Sequence, residues 1–258
     1  MIGLTAKEAS AYARDGYIIR KGLLSKDEVA AFRGHARKQL EAERSAGAVM
    51  QKGDKEGKTT LLKMWTKAED DIYGLLARDE RMVGLAEDAI GKPIYLYSHK
   101  MTMKQPNEGG AWEWHQDFGY WYNYGCLAPE MMSIYVALDK ATRENGCLQV
   151  LKGTHKLGRL NHIRENDQTN VEQEHLDAAL KRYEHVYVEM DAGDVLVFDG
   201  NLLHRSDANR SDTYRWGYIS SYNAVENAPF KRVRDYGNYE ALKKVPAGTF
   251  RMLPEKAA

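Results

Sequence analysis

The sequence predicts a mainly β protein fronted by helices, with N-terminal helices packed on an antiparallel sandwich or jelly roll. Three observations carry this expectation. Thr5 with Glu8 and Ser25 with Glu28 have capping-box spacing, in which each side chain satisfies an orphan amide at a helix start. From Ile94 onward, "IYLYSHKMTMKQ", "MMSIYVALDKA", "CLQVLKGTH", "HVYVEM", "DVLVFDG" and "YRWGYISSYNA" are short, β-branched and aromatic, with Gly, Asn and Asp between them, a pattern of successive strands. No repeat, low-complexity tract or linker divides the chain. One domain over 1–258 is expected, with 1–92 mostly helical, 93–225 the jelly-roll core and 226–258 a C-terminal extension.

Taken in order, the helix after Ser25 presents Val29, Phe32, Ala36 and Leu40 along one face, the spacing of an amphipathic helix. The Gly- and Lys-rich stretch "SAGAVMQKGDKEGK", residues 45 to 58, reads as a mobile loop and a candidate lid. Residues 66 to 90 hold two short helices. In "RENGC", Asn145-Gly146 is a hairpin signal joining two strands, because both residues tolerate positive φ.

Composition removes several classes of function. Lys+Arg and Asp+Glu balance at 37 each, which gives no basic surface for nucleic acid or anionic membrane. Two cysteines, Cys126 and Cys147, are too few for a disulfide framework, and a reducing, cytoplasmic setting is expected. "MIGLTAKEASAYARDG" carries charges and no apolar run, so it reads as neither signal peptide nor membrane anchor.

The chemistry centres on His115 and Asp117 in "EGGAWEWHQDFGYWYNYG". Two apart on a strand, imidazole and carboxylate point to one face. That is two of the three members of a two-histidine, one-carboxylate triad, which binds Fe(II) and leaves positions open. Of the eight histidines, His35, His155, His162 and His175 read as surface groups, and His99 and His185 as core or edge residues. His204 follows an apolar strand and a turn, in a position to reach across a sandwich. Arg215, eleven residues later in a strand, needs an anionic partner if buried and can grip a carboxylate with two hydrogen bonds. An open iron site with one inward arginine suits 2-oxoglutarate.

"WHQDFGYW", "ALDKATRENGCLQVLKGTHKLG" and "GDVLVFDGNLLHRSDANRSDTYRWGYISSYN" resemble the phytanoyl-CoA dioxygenase (PhyH) family of Fe(II)/2-oxoglutarate oxygenases, in order from about Thr102 to Asn223. The resemblance implies a double-stranded β-helix (jelly roll, cupin-like) buttressed by α-helices. It implies His115, Asp117 and His204 as catalytic iron ligands, Arg215 as anchor of the distal carboxylate of 2-oxoglutarate, and Ser206 as a hydroxyl assisting that carboxylate. It also implies Met101 lining the co-substrate pocket, Tyr135 as an aromatic beside 2-oxoglutarate, and Gln116 turned away from the iron. Related halogenases replace the carboxylate ligand with a small residue, so Asp117 implies hydroxylation or desaturation. The implied cofactors are Fe(2+), 2-oxoglutarate and O2, consumed to succinate and CO2 while a small-molecule C–H is hydroxylated. Phytanoyl-CoA-type acyl-CoA hydroxylation, a non-catalytic metal-binding jelly roll and a zinc hydrolase are the alternatives.

The crowded rings have two readings. Trp112, Trp114, Tyr120, Trp121, Tyr122 and Tyr124 either fill the core or a hydrophobic loop, or Tyr120, Trp121 and Tyr122 wall the substrate pocket. Lys104 either meets an anionic group of the substrate or is an exposed surface lysine. Polar-tipped rings suit a compact substrate better than a long acyl chain.

Overall fold

The computed structural model describes residues 2–165, 168–231 and 239–252. In chain order the elements are α1 (Ala6–Asp15), β1 (Tyr17–Arg20), α2 (Lys26–Ser45), β2 (Met50–Gly53), β3 (Thr59–Trp65), α3 (Ile72–Ala77) and α4 (Glu80–Ile90). Next come β4 (Ile94–Lys104), β5 (Trp112–His115), α5 (Asp117–Asn123), β6 (Met131–Ala137), β7 (Leu148–Leu151), β8 (His162–Glu165) and β9 (Gln168–Val171). The last are α6 (Gln173–Arg182), β10 (His185–Val188), β11 (Val195–Asp199), β12 (His204–Ser206) and β13 (Arg215–Ala224). Seven strands form one antiparallel sheet in the order β1-β11-β6-β13-β4-β3-β2, and four form a second in the order β10-β7-β12-β5. The two sheets make a jelly roll with helices against the outer face of the larger one. No helix among the described residues is long and apolar enough to cross a membrane.

Both capping boxes form, with Thr5 closing on Glu8 and Ser25 on Glu28. The apolar face of α2 is buried as its spacing requires, through Val29, Phe32, Ala36 and Leu40. It packs on side chains that alternate outward from the large sheet, including Met101, Met103, Val136, Trp216 and Tyr218. Asp139 ties the layers together: Arg33 and Arg37 of α2 donate to one carboxylate oxygen, while the Trp216 amide donates to the other. Phe250 reaches back to Phe32, edge to face at 5.9 Å. The central strands β6 and β13 are buried along their whole length, which explains their continuous apolar and small-residue texture.

Three sequence expectations change. The first ninety residues hold the expected helices, α3 and α4 included, but also supply β1, β2 and β3 to the large sheet. Those strands are specified by long-range pairing, β1 with β11 and β3 with β4, which local propensity does not report. The stretch 45–58 is not simply a loop. It carries β2 and a turn in which the Asp54 carboxylate accepts the amides of Glu56, Lys58 and Ala111. Finally, Asn145-Gly146 closes no hairpin, since the strands it links, β6 and β7, lie in different sheets. Its turn residues still matter: Gly146 has φ of 79°, and the Asn145 side chain bonds the Thr142 amide and the Lys140 carbonyl.

Replacing Phe32, which is fully buried, with Ala leaves a cavity beneath the sheet and is expected to cost about 3–5 kcal/mol. Chemical denaturation read by circular dichroism measures it; a loss below about 1 kcal/mol would mean that α2 does not carry this core.

Candidate active site

The inner faces of the two sheets enclose an open cavity. From the large sheet, Thr60 and Leu62 of β3, Lys100, Thr102 and Lys104 of β4, Tyr135 of β6, and Arg215 and Ile219 of β13 line it. The facing wall includes Trp112 and His115 of β5, Leu148 of β7, and His204 and Ser206 of β12.

At one end His115, Asp117 and His204 converge, with one ligand-type atom of each lying within 4.8 Å of the others. All three residues are buried. The histidines face each other because β5 and β12 pair with His204 opposite His115. Asp117 gets there by a different route from the one expected. It is the first residue of α5, not part of a strand, and the turn at Gln116 swings its carboxylate round to the imidazoles.

Each ligand-type side chain is oriented by a second bond. The Nδ1 of His115 bonds the Glu113 carbonyl at 2.7 Å, and that of His204 the Leu202 carbonyl at 2.9 Å. Both Nε2 atoms are thereby left with free lone pairs, 3.7 and 3.9 Å from Asp117 Oδ1. Ser133 donates to the other Asp117 oxygen at 3.0 Å and is itself bonded to Ser221. Burial, with the facing His115 next, pushes His204 down to about 3. The ring is therefore neutral near pH 7, as a ligand must be. Burial opposes ionisation of Asp117, but the positive charge of Lys100, with the contact to His115 next, outweighs it and holds the carboxyl well below its usual range.

Gln116 points away from this centre. Its amide donates to the carbonyls of Gly158 and Asn201 and accepts from the Leu160 amide. The backbone N–H of Gln116 donates to His162 Nε2 at 2.9 Å. His162, expected at the surface, thus holds the peptide between two of the three converging residues. Burial brings its pKa down to about 4, which keeps Nε2 an acceptor.

At the other end of the cavity Arg215 is 2% exposed. Its Nε donates to the Gly146 carbonyl at 3.0 Å, while Nη2 is buried without a hydrogen-bond partner. The Tyr135 hydroxyl beside it is equally unpartnered, and the guanidinium carbon lies 5.6 Å from the ring centroid. Lys104 pairs with Arg215 across the β4–β13 ladder. It is no surface lysine: it is buried, its ammonium donates to the Asp207 carbonyl, and burial followed by Arg215 drives its pKa far down. Ser206 is buried and lines the same cavity.

Four expected site residues lie elsewhere. Met101 packs in the core between sheet and helices, on the face of β4 opposite to Lys100 and Thr102, so it does not line the cavity. Alternation in "HKMTMK" carries that information, with polar residues at every second position. Trp121 packs edge to face on Tyr97 at 5.6 Å. Tyr122 is 40% exposed beneath Arg159. Tyr120 lies 5.4 Å from the His115 ring, but its hydroxyl donates to Thr169 O and the ring is not part of the cavity wall. A helix at 117–123 in place of a continued strand turns these rings aside; the ring that does line the cavity is Trp112. Ser133, His162 and Lys100 were not singled out from sequence.

The side chains present suit a metal ion and an organic acid. Two imidazole nitrogens and one carboxylate oxygen form an N2O set open on the cavity side, the donor set of non-haem iron sites. The partnerless guanidinium nitrogen is a buried donor that a carboxylate would satisfy. Jelly roll, N2O centre and buried arginine together define an iron oxygenase site. Comparison with known proteins agrees. The sequence profile of the phytanoyl-CoA dioxygenase family matches residues 12–217. L-proline trans-4-hydroxylase of Streptomyces griseoviridis is 33% identical over 186 residues, covering 64% of this chain and 68% of that one. Ectoine dioxygenase of Sphingopyxis alaskensis is 27% identical over 238 residues, covering 87% and 77%. The crystal structure of EctD from S. alaskensis with 2-oxoglutarate and 5-hydroxyectoine aligns at a TM-score of 0.78 and 26% identity, covering 95% of this chain and 88% of that one. The chain belongs to the phytanoyl-CoA dioxygenase family and is a 2-oxoglutarate-dependent non-haem iron dioxygenase.

Ser133→Ala removes the donor that fixes Asp117. Iron affinity is expected to fall by roughly 10–100-fold, the usual cost of losing such a partner, as read by Fe(II) titration under anaerobic conditions; unchanged affinity would show that Asp117 needs no help from Ser133.

Proposed function

We propose that His115, Asp117 and His204 hold Fe(II), that Arg215 grips the distal carboxylate of 2-oxoglutarate, and that the enzyme hydroxylates a compact small molecule. The observation that carries this reading is the buried, partnerless Nη2 of Arg215 in the cavity that also receives His115 and His204. A structural metal site, or a zinc hydrolase, has no use for such a cation. Bound iron supplies the oxidising chemistry, in which 2-oxoglutarate and O2 become succinate and CO2 and one oxygen atom enters the substrate C–H bond.

The chain's own residues supply position. The carbonyls of Glu113 and Leu202 fix both imidazole tautomers, and Ser133 fixes the carboxylate. Lys104, Ser206 and Tyr135 surround the arginine end and suit the far carboxylate of the co-substrate. Gly217 lies where a Cβ would stand 2.2 Å from the Tyr135 ring, so the absence of a side chain there lets Tyr135 lie flat against β13 beside the clamp.

The substrates to try first are L-proline and ectoine, those of the relatives. An acyl-CoA chain would call for an aliphatic tunnel, whereas among the described residues the cavity wall has only Leu62, Leu148 and Ile219 as aliphatic members. Buried, unpaired Cys126 and Cys147 suit a cytoplasmic enzyme, and the balanced charge suits one without a nucleic-acid or membrane partner.

His204→Ala is expected to abolish Fe(II)-dependent succinate formation while far-ultraviolet circular dichroism is retained; succinate formed at the wild-type rate would remove His204 from the ligand set. Arg215→Met is expected to raise KM for 2-oxoglutarate by roughly 10–100-fold, the worth of a charge-assisted pair. Gly217→Ala pushes Tyr135 toward the co-substrate and is expected to raise the same KM by about tenfold, the equivalent of the 1–3 kcal/mol that overpacking costs. Steady-state assays at saturating O2 measure both, and an unaltered KM in Arg215→Met would place the co-substrate elsewhere.

A further inference from the structure

The inner face of the large sheet is ordered in rows across β4, β13 and β6. Ser98, Ser221 and Ser133 form one row, Lys100, Ile219 and Tyr135 the next, then Thr102, Gly217 and Ala137, and finally Lys104 with Arg215. The first row meets the metal ligands through the Ser133–Asp117 bond. Lys100 therefore stands one row from the metal end. Its Cα is four residues along β4 from that of Lys104, a separation of about 13 Å at the rise of an extended strand.

Lys100 is half-buried because it faces the cavity. No carboxylate among the described residues lies within ion-pair distance of its ammonium; the one that its charge reaches is Asp117, a member of the converging trio at the metal end. Of the other cations there, Arg205 pairs with Asp207 and Lys104 bonds a backbone carbonyl, while Arg215 stands with a free Nη2 at the far end. With Fe(II), Asp117, a 2-oxoglutarate dianion and Arg215 in place, charges cancel. Lys104 and Lys100 remain, the first bonded to a carbonyl at the arginine end and the second without an anion at the metal end, in a confined space where a charge is stable only when matched or hydrated.

We propose that Lys100 binds the carboxylate of the primary substrate, so that the enzyme acts on compact organic acids, amino and imino acids among them. This rests on the iron and 2-oxoglutarate reading above. The salt link would orient the substrate by its acid end, one row from the metal, and so select which C–H is presented to it. A positioned cation of this kind discriminates strongly against an analogue lacking the charge, because the ammonium would be left unmatched.

The test compares free acids with their carboxamides on the same skeleton, L-proline against L-prolinamide and pipecolic acid against its amide, together with ectoine. Succinate formation and mass detection of oxygenated product give the readout. With the wild-type enzyme, one or more free acids are expected to stimulate succinate formation and gain one oxygen atom, at a kcat/KM at least tenfold above the amide's. Lys100→Met is expected to raise KM for that acid at least tenfold more than it raises KM for 2-oxoglutarate, with Lys100→Arg restoring most of the difference. Equal use of acid and amide, or stimulation by none of the acids, would overturn the proposal. So would an equal or larger rise in KM for 2-oxoglutarate, which would assign Lys100 to the co-substrate, or a loss of Fe(II) affinity accounting for the whole effect, which would assign it to Asp117. Absence of any Fe(II)-dependent succinate from the wild-type enzyme would instead refute the iron and 2-oxoglutarate reading itself.

Discussion

Two imidazole nitrogens and a carboxylate oxygen within 4.8 Å of one another are electron-rich groups that gain nothing from each other's company once the rings are neutral. The fold holds them together by other means. Strand pairing sets His204 opposite His115, two backbone carbonyls turn the rings, and Ser133 turns the carboxylate. Much of the surrounding structure supports this placement. The buried Gln116 amide stitches the ligand turn to two loops, and His162 takes the remaining backbone donor. Preorganised donors of this kind spend folding energy in advance so that a metal finds its geometry ready.

What was legible in the sequence follows from the range of the interactions involved. Capping boxes are local chemistry, and Thr5 and Ser25 both cap as written. The apolar face of α2 is a local periodicity, and it is buried as written. His115, Asp117, His204 and Arg215 stood out because chemistry-bearing types recurred in an order that a known family shares. β1 and β3 did not stand out, because their partners are β11 and β4, strands far along the chain. Asn145-Gly146 misled for a related reason: a turn signal reports backbone conformation, not which sheet the chain enters next.

Which way a side chain faces was harder to read than which strand carries it. Met101 and Lys100 are neighbours in sequence yet face opposite sides of one strand, the first in the core and the second in the cavity. Period-two alternation distinguishes them, provided that the strand is known to separate a helical layer from a cavity. The ring cluster after Asp117 was misplaced because a strand was extended through a residue that begins a helix. That single change of element turned Trp121 and Tyr122 away from the cavity and left Trp112 to line it.

The two histidines proposed as metal ligands and the arginine belong to different halves of the sandwich. His115 and His204 sit on β5 and β12 of the small sheet, and Arg215 on β13 of the large one. If Arg215 takes the far carboxylate as proposed, 2-oxoglutarate becomes a strut between the sheets, fastened to one through iron and to the other through a guanidinium. A ligand bound only by the folded state adds its binding energy to stability. Here that energy would act across the gap between the sheets, so a strut short of one methylene would fail as a structural brace for the same reason that it failed as a co-substrate.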